Sequence, residues 1–486
     1  MNLTSALQIA QSSLFNVSQK TSIVSRNITD ADNEDYTRRQ GVHDTAAAGS
    51  RLTVQRASVD TQLSEANLLA LSEAEAQSLI STRFDRLNID LNGPNGELSL
   101  SQLMTSLHQD MQLYSADPSN TMLAQSAVVN AKSIVSSLHN QSQTLNEYRH
   151  AIDADISREV DALNKLVQEF HEVNTDVVYG TETGRDVLDA RDRRDALLKD
   201  ISKIVPINQV RRGSDDLILV TKDGATLYES VPRVVSFVPT AIYNSGTAGN
   251  PIQIDGVPVK AGEGANTSAA GSLSALMQMR DGNVETMHTQ LDEFARGLIS
   301  VFAETDQTGG SPDLTGLFSW SGSPAVPPVG TRIVGLAGEI SVSAAFDPDQ
   351  GGSPSLLRDG GANGAAYVHN TEGGESYSNH LISLVQSMDV RSSFDNQTGI
   401  SGLMSILTFA NQTTGWIDGQ RSDASQAALT KSALSIRLTE KISNKSGVNI
   451  DEEMTLLLQL EKSYEASARL IATVNEMFDT LLQSVR

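Results

Sequence analysis

The chain has 486 residues, enough for several separate cores, with 39% hydrophobic and only 5% aromatic residues. A net charge of −23 argues against broad electrostatic binding to nucleic acid or anionic membrane, and the absence of cysteine excludes disulfides, thiol catalysis and thiolate metal sites. Scarce aromatics favour long helices and thin cores over one large globule.

In chain order, Leu3, Leu7, Ala10, Leu14, Val17, Thr21, Val24 and Ile28 alternate spacings of four and three with only Thr21 polar, which predicts a coiled-coil seam. No Lys or Arg precedes Lys20, and Gln8, Gln11 and Asn16 interrupt any apolar run, so this is not the pattern of a cleavable signal. A polar break over residues 29–40 ends the seam. Asp30, Asp32 and Glu34 open like a calcium loop, but Asp35 stands where such a loop needs Gly and Gly41 where it needs Glu; the sequence therefore predicts no metal there.

From Ala57 the pattern predicts a helix to Leu91, stopped by Asn92-Gly-Pro-Asn-Gly96, and a second through Leu100, Leu103, Leu107 and Met111 to Asp117-Pro118. Thr121 to about Val178 carries no Gly or Pro and predicts one helix of about 80 Å. A loop over Tyr179–Gly184 and a helix over Val187–Ile204 follow. Within the latter, Asp189 with Arg193 and Asp195 with Lys199 are four apart, the spacing of a solvated charged face.

From Ile207 the period changes. Asp223-Gly224 and Asp255-Gly256, each between short β-branched runs, predict type I′ hairpins. Helix returns over Gly271–Glu304; Asp306–Asn370, rich in Gly and Pro, predicts short strands and loops; helices resume near Ser376 and over Gly415–Lys445. At the end, Ile450, Leu457, Tyr464, Ile471, Phe478 and Val485 recur every seven residues at position a, with Leu460, Val474 and Leu481 at d. Leu456, Leu470 and Met477 at g, with Met454 and Leu482 at e, widen the stripe beyond what one partner helix covers.

Two matched seams at opposite ends predict that the termini pair. The expected class is mainly α with small β insertions, built from terminal coiled-coil helices, a bundle of long helices and nested β-rich domains. The expected order is 1–40 and 446–486 as halves of a coiled-coil domain, 41–205, 271–305 and 371–445 as parts of a helical domain, 206–270 as a β-rich excursion and 306–370 as a short outer insertion. No phosphate loop, dinucleotide motif, nucleophile elbow or histidine metal spacing occurs, so neither catalytic residue nor cofactor nor metal is expected.

Ser446-Gly-Val-Asn-Ile-Asp-Glu-Glu-Met454, Tyr464-Glu-Ala-Ser-Ala468 and Asn475-Glu-Met-Phe-Asp-Thr-Leu-Leu482 resemble the C-terminal signature of bacterial flagellar axial proteins. Asn27-Ile28 followed by Tyr36-Thr-Arg38 resembles their N-terminal signature. Leu188-Asp-Ala-Arg-Asp192, Ala116-Asp-Pro118 and Gly271-Ser-Leu273 are similar to internal segments of the hook-associated members. The resemblance implies a non-enzymatic adaptor at the hook–filament junction, needed for filament assembly and swimming, and assembled as a ring of copies with the hook protein on one side and a second junction protein on the other. It also implies an extracellular place on the flagellum after type III export, with a cytoplasmic chaperone holding the C-terminal segment, and no nucleic-acid or membrane partner. The assembly surface it points to comprises Leu3, Leu7, Leu14, Val17, Val24 and Ile28 at one end. At the other it comprises Ile450, Leu457, Leu460, Tyr464, Ile471, Val474, Phe478, Leu481 and Val485. The rival readings are a hook or rod protein, or a type III secreted coiled-coil effector.

Overall fold

A computed structural model describes residues 3–46, 49–58, 60–259 and 268–484. The chain divides into two compact units, one of residues 1–72, 163–233 and 431–486, the other of 73–162 and 234–430. The chain passes between them within three helices and once in the β-rich excursion, which is thus divided after Arg233.

The first unit opens with α1 (Leu3–Thr29) and a hairpin of β1 (Arg39–Ala46) and β2 (Gly49–Arg56), in register from Arg39 opposite Arg56. The sequence reading placed this stretch in the helical domain, with a helix from Ala57. The next helix, α2 (Thr61–Asn92), begins four residues later, and the Ala57 amide donates to the Arg38 carbonyl instead. Val42 and Val54 on the strands are exposed, so this hairpin lacks the apolar face that makes a strand legible.

α2 ends at Gly93, whose φ of +76° is open to glycine at little cost. α3 (Leu100–Ala116) starts at Ser99, whose hydroxyl accepts from the Gln102 amide. α4 (Thr121–Thr183) is unbroken over 63 residues. It continues past the expected loop, because Gly184 at φ +70° closes it with the Arg185 amide on the Gly180 carbonyl and the Gly184 amide on Thr181, a Schellman end. α5 is Leu188–Ile204.

A three-stranded antiparallel sheet of β3 (Ile207–Arg211), β4 (Leu217–Thr221) and β5 (Thr226–Tyr228) completes the middle of the first unit. The turn at Asp223-Gly224 is not type I′: the Gly224 amide bonds the Thr221 carbonyl, and only Gly224 has positive φ. That is a turn of two right-handed residues followed by a left-handed glycine, with a bulge between Leu219 and Val220. The second hairpin behaves as expected. Asp255 and Gly256 both have positive φ, 53° and 80°, in the type I′ turn of a small sheet of β6 (Val235–Ser236), β7 (Gln253–Ile254) and β8 (Val257–Pro258).

The second unit is built around α6 (Ser272–Met277) and α7 (Val284–Val301), joined by a π-helical turn over Gln278–Asn283 where the sequence predicts one continuous helix. Most of α7 is buried on every side, His288, Gln290, Asp292, Glu293 and Arg296 included. A helix buried all round must pair its polar groups, and α7 uses them to anchor the surrounding loops. Asp292 accepts from Ser245, Arg332 and the Gly335 and Ala337 amides; Gln290 donates to the Thr398 carbonyl; Arg296 binds Glu293 and the Ser393 carbonyl. His288 has no such partner, and burial, aided by Arg149 and Arg332, pushes it down to about 3, so it stays neutral.

The outer segment holds β9 (Phe318–Ser319), α8 (Leu336–Glu339), β10 (Ser341–Val342) and α9 (Leu356–Asp359), with β10 pairing back onto β9. After α10 (Asn379–Ser387) and the pair β11 (Ser392–Ser393) and β12 (Leu403–Met404), α11 (Ile406–Ser446) returns the chain to the first unit. α12 (Ile450–Ser484) ends the chain's described part. The whole is mainly α with small two- and three-stranded sheets.

Candidate assembly interface

α1 and α12 pack against each other and run antiparallel, since Ser13 meets Ser467 (Oγ to Oγ, 3.1 Å) and Asn27 meets Glu453 (3.1 Å). Val17, Val24 and Leu460 share one buried core, with Ile28, Leu456 and Leu457 packed on it. Ala10 and Val474 are also buried. Leu7, Leu14, Ile471 and Phe478 are half-buried, while Ile450 and Tyr464 are exposed, each at 47%. Leu3 and Leu481 lie in the two helices, but their side chains, like Val485 as a whole, fall outside the described residues.

The centre of the seam on α12 is therefore the d column, whose described members Glu453, Leu460, Ser467 and Val474 are all buried. The sequence reading took the whole a column but only Leu460, Val474 and Leu481 of d, because Glu453 and Ser467 are polar. In a heptad the a and g columns flank d on either side. Both flanks stay open along this helix. Leu456, Leu457, Ile471 and Phe478 are partly covered, but Ile450, Tyr464, Leu470 (58%) and Met477 are exposed. On α1, Ile9 and Phe15 are exposed as well. One partner helix thus covers the middle of the stripe and leaves apolar surface on both sides.

The base of the pair is polar. Asn27, 1% exposed, uses its whole side chain: Nδ2 donates to the Arg39 carbonyl and to Glu453, and Oδ1 accepts from the Tyr36 hydroxyl and the Arg39 amide. Burial pushes the Tyr36 phenol up to about 12, which keeps it a donor. Glu453, also 1% exposed, accepts from Arg38 Nε at 2.7 Å as well, and the Arg38 amide donates to the Ser446 carbonyl at 2.8 Å.

The charged run on α5 joins this base, which corrects its reading as a solvated face of i,i+4 pairs. Asp189 binds Arg26 (2.7 Å) and Arg39 (3.1 Å), Asp192 binds Arg39 and Arg56, Asp195 binds Arg56, and Lys199 binds Asp35. The hydrogen bond from Arg26 first, with that from Arg39, holds the Asp189 carboxyl below the usual carboxylate range. Asp192 and Arg194 are buried. The partners lie about 140 to 160 positions away in sequence, beyond the reach of a local spacing rule. Asn27, Tyr36, Arg38 and Glu453 were visible only as members of the terminal signatures.

Among the described residues no helix is long and apolar enough to cross a membrane, and no three His, Asp or Glu side chains converge as a metal-holding group. The interface is a packing surface with a polar base.

Curated protein sequences give no match to the chain. The sequence profile of the helical domain of the flagellar hook-associated protein FlgK matches residues 88–317, and that of the C-terminal segment of the flagellar basal body rod FlgEFG proteins matches 441–484. Among solved structures, the flagellar hook junction protein FlgK from Burkholderia pseudomallei shares the fold, with a TM-score of 0.57 over 79% of this chain and 99% of that one, at 12% identity. The helical-domain profile covers residues 88–317, just under half of the 486, and together with the shared fold these matches make the flagellar hook-associated FlgK family the one that this chain resembles.

Proposed function

We infer that the chain is a structural adaptor of the flagellum at the junction between hook and filament. The carrying observation is the open stripe of α1 and α12: an antiparallel pair whose central column is buried and whose flanking columns are mostly apolar and only partly covered. Apolar surface on both sides of a coil is stabilised when further helices cover it, and copies of the same chain in a ring supply them. In this reading the terminal pair forms the inner tube with its neighbours. Leu7, Leu14, Ile450, Tyr464, Ile471 and Phe478 are then intersubunit contacts.

The C-terminal segment is of a kind shared with rod proteins, so by itself it supports a rod or hook protein equally. The match of residues 88–317 to the hook-associated helical domain favours the junction. The family is a structural one, and we expect no turnover of peptidoglycan, nucleotides or peptides. Export as an unfolded chain, with a chaperone on the C-terminal segment until assembly, fits a helix whose apolar columns remain open in the single chain.

The test is position. Gold-labelled antibody against residues 234–430, applied to isolated flagella, should mark a narrow band between hook and filament. Labelling along the hook or within the rod instead would favour the rival reading.

A further inference from the structure

The apolar residues of the terminal pair cannot choose its register. Ala10, Val17 and Val24 repeat every seven residues on α1, as Ile450, Leu457, Tyr464, Ile471 and Phe478 do on α12, so a slip of one heptad sets the same apolar columns against each other again. Two polar layers do not repeat that way. Asn27 meets Glu453 and Ser13 meets Ser467, and fourteen residues separate the layers on both helices. Glu453 and Ser467 both stand in the buried d column.

A slip of seven in one direction sets Asn27 at the level of Leu460 and Ser13 at the level of Val474. Glu453 then passes the end of α1 at Thr29. A slip in the other direction sets Ser13 at the level of Leu460 and moves Glu453 to the level of Lys20. That move offers Glu453 a new cation, but it parts Glu453 from Arg38 and leaves Asn27 Nδ2 without its carboxylate. A buried donor or acceptor left unpaired is costly, whereas an apolar layer meeting another apolar layer is indifferent to the shift.

We propose that Asn27 and Glu453 are positioning residues that lock the register of the α1–α12 pair, with Ser13 and Ser467 as a second, weaker layer. The lock decides which residues along the stripe are covered by the partner helix. Asn27 is itself held by Tyr36 and Arg39, so the register is tied to the turn that follows α1 and not to the helices alone. The register argument stands on the single chain. Its consequence for which residues meet neighbouring copies rests on the junction reading.

The chain has no cysteine, so a disulfide between introduced cysteines reports register without background. Three pairs are made in the purified full-length chain: Ser13→Cys with Ser467→Cys for the native register, and Ser13→Cys with Leu460→Cys or Val474→Cys for the two slips. Each is oxidised in the native background, with Glu453→Gln, and with Asn27→Leu plus Glu453→Leu. With Asn27 and Glu453 intact, and with Glu453→Gln, which keeps an acceptor for Asn27, only the 13/467 pair should close. In the double-leucine background closure of 13/467 should fall at least twofold, and one slipped pair should rise at least tenfold, with far-ultraviolet circular dichroism unchanged. Undiminished and exclusive 13/467 closure in that background would overturn the proposal and assign the register to the Arg38–Ser446 backbone contact. Loss of all three cross-links together with helix would also overturn it, since the polar layer would then hold the helices together without choosing between registers.

Discussion

Ile471→Asp should abolish filament growth while leaving the isolated protein folded. Ile471 sits in the a column of α12, half-covered by its own chain and flanked by exposed Leu470. In the free chain an aspartate there still reaches water, so the thermal midpoint should move by no more than a degree or two. Once a neighbouring helix covers that column, the carboxylate is buried without a partner, at a cost of about 3–5 kcal/mol in each subunit. A ring closes only if every copy bears that cost, so assembly should fail outright. Glu465, exposed and held only by a 3.9 Å contact with Arg469, is the control: its replacement by Gln should leave both stability and filaments unchanged. Each variant is scored for filaments and for secretion of the variant into the medium, because a block in export imitates a block in assembly. Normal filaments with Ile471→Asp would mean that this column is not an assembly surface.

Asp153→Ala should destabilise the second unit more than any surface change. Asp153 and Arg280, both 1% exposed, are joined at 2.8 Å, and the same carboxylate accepts from the Thr240 amide (2.7 Å) and the Tyr243 hydroxyl (2.9 Å). Arg280 keeps Asp281 through Nε and Nη2. Burial works against its charge, but Asp281 and Asp153 outweigh it and hold the guanidinium above its ordinary value. Removing Asp153 leaves one arm of a buried cation unpaired and frees the loop around Thr240, a loss of about 3 kcal/mol. Both tryptophans, Trp320 and Trp416, lie in this unit, so fluorescence during urea unfolding reports on it alone. The midpoint should fall clearly in Asp153→Ala and less in Asp153→Asn, which keeps an acceptor for Thr240. An unchanged midpoint would show that the buried pair contributes nothing to stability.

The parts of this architecture that were legible in sequence are those governed by local repetition. The terminal helices announce themselves by period, and α4 by 58 residues without Gly or Pro up to Val178. The type I′ turn at Asp255-Gly256 follows from residue chemistry alone. What was not legible depends on partners far away. The β1–β2 hairpin leaves Val42 and Val54 exposed and gives no apolar period. The buried polar side of α7 is set by loops 40 or more residues distant. Apolar counting found Leu460 and Val474 but passed over Glu453 and Ser467, which are buried between them in the same d column. Asp189 to Asp195 looked solvated because nothing nearby in sequence indicates Arg26, Arg39 or Arg56.

The most direct test of the junction assignment is a micrograph of cells lacking this chain. Deletion should leave hooks of normal length and shape with bare tips, filament protein free in the medium, and no swimming. Re-expression of the full chain should restore filaments on those same hooks. Filaments of normal length on the deletion cells, or a loss of the hooks themselves, would contradict a role at the hook–filament junction.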